Sequence, residues 1–397
     1  MEVENENTST TKTKKEEDDE TNYKIAGVDM MALAQSIHRL QSNTSSDADL
    51  STSVSNTILQ ELKNPSLYRL AFKDANLADL KSMEEENSKM SQDLQKAVEK
   101  AKEEAGDMEV LDASLAYAKF AFQVLTKEEA LSAYEKVLEL PKLSSGKKID
   151  VLMQRARVAS FYGEMKMMVE LVESATKMAN DWDRRNRLKV YDALGKVLSR
   201  DLKGAAGLLV DCIATFSCVE FCSFNDFVVY SIVTNILHLP RTEVKEKIID
   251  GPEIVAISND IPEAWKLVNA FYDCDYKTYL NAMVDLNNVL MADRFFQSHC
   301  GYIMRELLVL AYKQFLDAYK SVTLESMASS FGVGIEFLDV QLSRFISAGR
   351  LTAKIDKHEG IVETNRPDLK NAQYREMIQK GDNLLSRVQK LARVVDL

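Results

Sequence analysis

Over most of the chain apolar residues return every three or four positions, the period of a helix, and only beyond residue 350 does the spacing fall to two. From Val110 to about Tyr319 the pattern predicts helices joined in pairs by short turns. Shifting the sequence by 37 places Ala156 on Ala193, Phe161 on Leu198, Met165 on Leu202, Val169 on Ala206 and Val172 on Leu209, so two successive hairpins share a face. An earlier pair runs from Leu111 to Leu140. A later one has Ala264 to Tyr272, a turn at Asp273-Cys274-Asp275, then Tyr276 to Leu290. Pro141, Pro240, Pro252 and Pro262 fall between helices or at their starts, where a missing amide donor does no harm.

A two-helix hairpin is too thin to bury its own apolar stripe, so the pairs must stack on one another. The expected fold is therefore all-α dominated, with a right-handed helical-repeat solenoid of the tetratricopeptide kind over 110–314. After it the period changes twice. Val322 and Thr323 are β-prone, Leu324 to Ser330 reads as a helix, and Phe331-Gly332-Val333-Gly334 stops it. A second helix follows, with Ile335, Leu338, Leu342, Phe345 and Ile346 on one face and Gly349 at its end. Leu351, Ala353 and Ile355 then alternate with polar residues, Lys357-His358-Glu359-Gly360 turns, and Ile361 to Thr364 returns as a second strand. Two helices and a β-hairpin make a winged helix, placed at 315–366.

Winged helices often read DNA, and charge tests that use. Between Phe315 and Asn365 seven acidic side chains face five basic ones, and the second helix opens with Glu336 and Asp339 where phosphates would want Lys or Arg. Nucleic acid is therefore not the expected partner. The exposed edge of the hairpin offers backbone donors and acceptors to a strand of another chain instead.

The remaining segments are a tail, a linker and two long helices. Residues 1–22 hold eight acidic side chains and three lysines without an aromatic residue, a composition too poor in apolar surface to offset chain entropy. Gln41 to Asn56 is rich in Ser, Thr, Asn and Asp and reads as a linker, so 1–56 is taken as disordered tail plus linker. Within 57–109, Lys73 to Glu104 predicts one long charged helix. Leu80, Leu94 and Ala101 form a short heptad seam with Met83, Met90 and Ala97, and Asn87 is its polar exception. The last segment, 367–397, predicts another long helix: Pro367 suits a first position and Asp368 complements the helix dipole. Met377, Leu384 and Leu391 recur at seven, with Gly381, Val388 and Val395 four residues after each. That seam lies beyond a finished domain and needs a cover from its own chain or from partner helices.

The chain has 397 residues, 46% of them hydrophobic, a net charge of −11 and a pI near 5.1, which fits two or three soluble domains. Five cysteines and a polar N-terminus predict a reducing cytoplasmic or nuclear setting. The longest apolar run, Phe227 to Leu239, carries Asn235 and His238 and predicts a buried helix, since it is too short to span a membrane.

Catalytic chemistry finds no constellation. His38, His238, His299 and His358 lie far apart without an HExxH pair, and Cys218 and Cys222, four apart, lack the partners of a zinc site. Gly146-Lys147-Lys148 and Gly332-x-Gly334 lack the context of phosphate loops, and Cys300 beside His299 is a neighbour in sequence only. No cofactor and no enzyme activity are expected.

At Asn180 to Tyr191 the sequence is NDWDRRNRLKVY. Asn180 or Asp181 can cap a helix, Asp181 with Arg185 and Asp183 with Arg187 lie four apart, and Leu188, Tyr191 and Leu194 point inward. That segment, with FGVGIEFLD at 331–339, LSRFISAGRL at 342–351, KIDK at 354–357, IVETNRPD at 361–368 and RVQKLARV at 387–394, resembles a family of the 26S proteasome regulatory-particle lid, non-ATPase subunit seven, known as subunit six in animals. The resemblance is close over about 180–397 and reduces to helical pattern before about 150. It implies a PCI domain: helical repeats leading into a winged helix, and a C-terminal helix joining a bundle with sister subunits. It implies a non-catalytic scaffold for ubiquitin-dependent proteolysis whose partners are other lid PCI subunits and the lid metalloprotease deubiquitinase, with the ATPase ring and core particle as further candidates. The paralogous signalosome subunit acting in cullin deneddylation is the nearest alternative. A PCI protein of translation-initiation or mRNA-export complexes is more distant, disfavoured by the acidic second helix. The expected partner-binding residues are Leu351, Ala353, Ile355 and Ile361 of the hairpin, and Met377, Leu384, Val388, Leu391 and Val395 of the last helix.

Overall fold

Helices start where the sequence supplies an oxygen for their first amides. Asn64, Ser144, Asp201, Ser223, Asp275 and Thr323 each accept from a backbone N–H of the first turn they precede. Thr126 and Glu129 form a reciprocal capping box, and Pro65, Pro252 and Pro262 occupy first turns. The computed structural model describes residues 27–42, 48–72, 77–104, 106–141, 143–364 and 369–395. The acidic stretch 1–22, Pro367 and Asp368 lie outside the described residues.

The helices are α1 Met30–Gln41, α2 Ala48–Asn56, α3 Pro65–Ala71, α4 Leu77–Glu104, α5 Asp107–Val124, α6 Lys127–Leu138, α7 Ser145–Phe161, α8 Met165–Met178, α9 Trp182–Leu198, α10 Leu202–Cys212 and α11 Phe224–His238. Two short helices follow, α12 Arg241–Val244 and α13 Pro252–Ala256, then α14 Pro262–Asp273, α15 Tyr276–Met291 and α16 Cys300–Ala318. The winged helix comprises β1 Ser321–Thr323, α17 Leu324–Phe331, α18 Ile335–Ser347, β2 Ala353–Asp356 and β3 Ile361–Thr364, and α19 Leu369–Val395 ends the described chain. The fold is thus helical hairpins leading into a winged helix, as the periodicity predicts.

One compact unit is built on residues 55–140. Here α4 packs along α5 and α5 on α6. Leu94, the centre of the predicted heptad, is 3% exposed and packs with Phe120 and Val124, flanked by Met90 and Tyr117. The polar exception in that seam is satisfied: Asn87 is buried and its Nδ2 donates to the Lys63 carbonyl at 2.7 Å. A buried amide with a partner adds specificity at little net cost, whereas one without a partner would destabilise.

The second unit comprises residues 29–54 and 141–397. The pairs α7–α8, α9–α10 and α14–α15 are antiparallel hairpins, and α8 packs on α9 and α10 on α11. Gly195 permits the close approach of α8 to α9, since a Cβ there would sit 3.2 Å from Val169 Cγ2. In α11 every residue from Phe227 to Ile236 is buried, and its polar members bond back into their own helix: Thr234 Oγ1 to the Tyr230 carbonyl and Asn235 Nδ2 to that of Ser231. Tyr276 of α15 and Tyr312 and Phe315 of α16 interlock with Phe331 of α17, ring centroids 4.7–5.5 Å apart, and Arg350 pairs with Glu306, so the winged helix is fixed to the end of the repeats.

Three expectations change. Met30–Gln41, inside the stretch taken as tail and linker, is a helix whose Met30, Met31, Leu33, Ala34 and Ile37 are buried. Gln35 of α1 donates to Asp293 Oδ1 at 2.8 Å and accepts the Arg294 amide at 3.1 Å, while Tyr230 Oη and the amides of Phe295 and Phe296 also donate to the buried Asp293 carboxyl. Ala48–Asn56, expected as linker, is helical as well, because burial of Val54 overrides the weak helix propensity of its Ser and Thr. At the start of α9, Asp183 pairs with Arg187 at 3.0 Å as expected, but Asp181 pairs with Arg184 instead of Arg185. Arg184 also binds both oxygens of Asp150 on α7 at 2.9 Å, a bidentate pair that fixes its guanidinium, while Arg185 donates to the Ala179 carbonyl.

Candidate functional site

The winged helix closes its own small core with Leu324, Met327, Phe331, Leu338, Leu342, Phe345 and Val362. Its three strands lie in the order β1-β3-β2, all antiparallel, with Val362 facing both Val322 and Ile355 in register. β3 is therefore central, and the backbone open to another strand belongs to the outer edges of β2 and β1. Among the predicted hairpin residues, Leu351 and Ala353 are buried in this core, while Ile355 and Ile361 are half-buried. What the hairpin can offer a neighbour is thus main chain along β2 more than the side chains of Leu351 and Ala353.

On α18 the outward face carries Ile335, Phe337 and Val340, all exposed, beside Glu336. Asp339 on the same helix pairs with Lys357 of the wing turn at 3.1 Å. Where a DNA-reading winged helix presents cations, this one presents apolar groups and carboxylates, which repel phosphate and suit protein.

The larger feature is α19. Asn371 and every residue from Gln373 to Arg393 is exposed, including Met377, Leu384, Val388 and Leu391 of the predicted seam. Leu384 is 66% exposed, against 3% for Leu94 of α4. The side chain of Val395 lies outside the described residues. Placing Met377, Leu384 and Leu391 at heptad position d puts Tyr374, Gly381, Val388 and Val395 at position a. Position e is then Ile378, Leu385 and Ala392, which the seven-residue reading did not include. Ile378 and Leu385 are as exposed as the seam itself, so the apolar face is one position wider than expected. Plotting the helix at 3.6 residues per turn would have found them.

His299 and Cys300, adjacent in sequence, are each engaged by a different part of the fold. Arg200 Nε donates to His299 Nδ1 at 3.3 Å, leaving Nε2–H to donate to the Leu198 carbonyl at 3.0 Å. The adjacent Cys300 turns to Asn287 Oδ1, 3.0 Å away. Burial pushes the thiols of Cys212, Cys218, Cys222 and Cys300 up from their ordinary value, away from the reactive thiolate. Among the described residues no group of three His, Cys, Asp or Glu is placed to hold a metal, and no helix is long and apolar enough to cross a membrane.

Comparison with known proteins finds three matching segments. Residues 77–247 match the family described as 26S proteasome subunit RPN7, residues 281–366 match the PCI domain, and residues 373–395 match the 26S proteasome regulatory subunit RPN7/PSMD6 C-terminal helix. The chain is 40% identical over 321 residues to the 26S proteasome non-ATPase regulatory subunit 6 homolog of Arabidopsis thaliana, spanning 80% of this chain and 83% of that protein. It is 39% identical over 325 residues to the 26S proteasome non-ATPase regulatory subunit 6 of Oryza sativa subsp. japonica, with 80% and 83% covered. Against COP9 signalosome complex subunit 1 of Arabidopsis thaliana the likeness falls to 26% over 158 residues, 40% of this chain and 36% of that one. The family match begins at residue 77, well before position 150, ahead of which only helical pattern was expected to remain.

Proposed function

Because the chain belongs to the 26S proteasome RPN7 family, we propose that it is a non-catalytic structural subunit of the proteasome lid, holding the regulatory particle together for ubiquitin-dependent protein degradation. The observation that carries this reading is the bare apolar face of α19, which coincides with the segment matched as a family-specific C-terminal helix. A helix with its greasy side in water is made for a partner.

In this reading 110–314 acts as the solenoid, 315–366 as the winged helix that completes the PCI domain, and 367–397 as the bundle helix. The partners are the other PCI subunits of the lid and its metalloprotease deubiquitinase, met in cytoplasm and nucleus. Contact runs through the open edge of β2, with Ile355 beside it, and through Met377, Leu384, Val388, Leu391 and Val395. Support for a role without covalent chemistry comes from the buried, protonated thiols and from the structural engagement of His299.

Affinity capture of the tagged chain from native cells with mass spectrometry tests the proposal. Copurifying proteasomal ATPases and peptidase subunits support it. Cullins in their place would favour the signalosome reading.

A further inference from the structure

The exposed face of α19 is lopsided in charge as well as in width. Its e flank is apolar, through Ile378 and Leu385, whereas its g flank carries Lys380 and Arg387, one heptad apart. The helix holds six basic residues, Lys370, Arg375, Lys380, Arg387, Lys390 and Arg393, against Glu376 and Asp382, a net +4. The whole chain is −11, so everything outside α19 sums to −15 over the same sequence. The helix is thus a basic amphipathic element on an acidic protein.

A two-stranded coiled coil covers positions a and d and leaves e and g in water, so the a-d-e face of α19 is the width buried in a multi-helix bundle. A second copy of α19 is a poor cover, because the pair would bring two +4 helices together. The chain's own acidic stretch 1–22 has the right sign but only Met1 and Val3 as apolar residues, which cannot cover a seam of this length.

Resting on the bundle reading above, we infer that the partner helix lying against the g flank of α19 carries Glu or Asp opposite Lys380 and Arg387. The apolar seam supplies the attraction, and the two cations select which helix lies on which side. In the chain alone Lys380 is held by Glu376 at 2.6 Å, an exposed i,i+4 pair that a partner carboxylate displaces at little cost.

The test uses the full-length chain and two synthetic helical peptides that share one leucine seam, flanked by Glu in the first and by Lys in the second. The Glu peptide is expected to bind on the order of tenfold more tightly, with an advantage that shrinks as salt rises, and Lys380→Glu with Arg387→Glu is expected to reverse the preference. Equal binding of the two peptides, or no reversal, overturns the inference. So does tighter binding to phosphatidylserine vesicles than to the Glu peptide, or self-association of the chain through α19. The bundle reading is checked separately with Leu384→Asp plus Leu391→Asp in a reconstituted lid. If that variant incorporates normally, the bundle itself fails. If it is excluded while the charge-reversed variant enters as well as the parent at every salt concentration, only the charge selection fails.

Discussion

The two longest helices, α4 with 28 residues and α19 with 27, start from the same design and end in opposite environments. Both carry a heptad seam interrupted once, by Asn87 in α4 and by Gly381 in α19. In α4 the centre of the seam at Leu94 is covered by α5 of the same chain, and the interrupting amide donates to the Lys63 carbonyl. In α19 the seam is bare from Tyr374 to Leu391. Heptad pattern therefore states that a cover exists without saying whose it is. The covered helix carries eight acidic and five basic residues, net −3, and the bare one is net +4, so charge adds what pattern omits.

The comparison breaks most visibly if the two seams respond alike to a buried charge. Leu384→Asp with Leu391→Asp is expected to abolish entry into a reconstituted lid while the free chain stays within about 0.5 kcal/mol of its parent stability, read by urea denaturation. Leu94→Asp should instead unfold its unit, since an unpaired carboxylate would replace a buried side chain. Truncation gives the same contrast on a smaller scale: Leu94→Ala should destabilise by roughly 2–5 kcal/mol, and Leu384→Ala by less than about 0.5 kcal/mol.

The interruptions sharpen it further. Asn87→Ala removes the donor to the Lys63 carbonyl and is expected to cost about 1–3 kcal/mol in denaturant. Gly381→Ala meets open space around its new Cβ and should raise the helicity of α19, stabilising the helix by about 1 kcal/mol, seen as increased circular dichroism at 222 nm.

The smallest expected effect is on pH. Burial lowers the pKa of His38, helped by the neighbouring Arg294, and burial also lowers that of His238, both from an ordinary 6.5. The folded state then binds fewer protons than the unfolded one. Stability is full above 6.5 and declines as pH falls through 6.5 toward the folded values. Thermal melts should show this decline, and His38→Asn with His238→Asn should flatten it. α19 contains no histidine, so its exposure should not change over that range.

The architecture was readable wherever the reason for it is local. The winged-helix boundaries followed from Gly332, which takes a left-handed φ of +66 at the end of α17, and from the drop to period two at Leu351. The helix at Phe227 was readable from its unbroken apolar run. Long-range partners were not readable. α1 is held by Asp293 and Arg294, more than 250 positions away, and no local pattern announces that Gln35 will bond to them. Arg184 reaches Asp150 on α7 in addition to Asp181 beside it, and no local pattern announces the distant partner. In the candidate site the a and d positions were legible, but Ile378 and Leu385 were passed over because a repeat of seven selects two positions when three are apolar. The burial of Leu351 and Ala353 depends on β3 lying between β2 and β1, which the hairpin sequence alone does not reveal.

The most direct test of a cover supplied by other subunits is amide hydrogen exchange across residues 373–393, measured on the free chain and on the assembled lid. An uncovered helix of this length is marginal in water, so its amides should exchange early in the free chain and at least about a hundredfold more slowly in the assembly. Equal protection in the two states, whether fast or slow, would contradict the account.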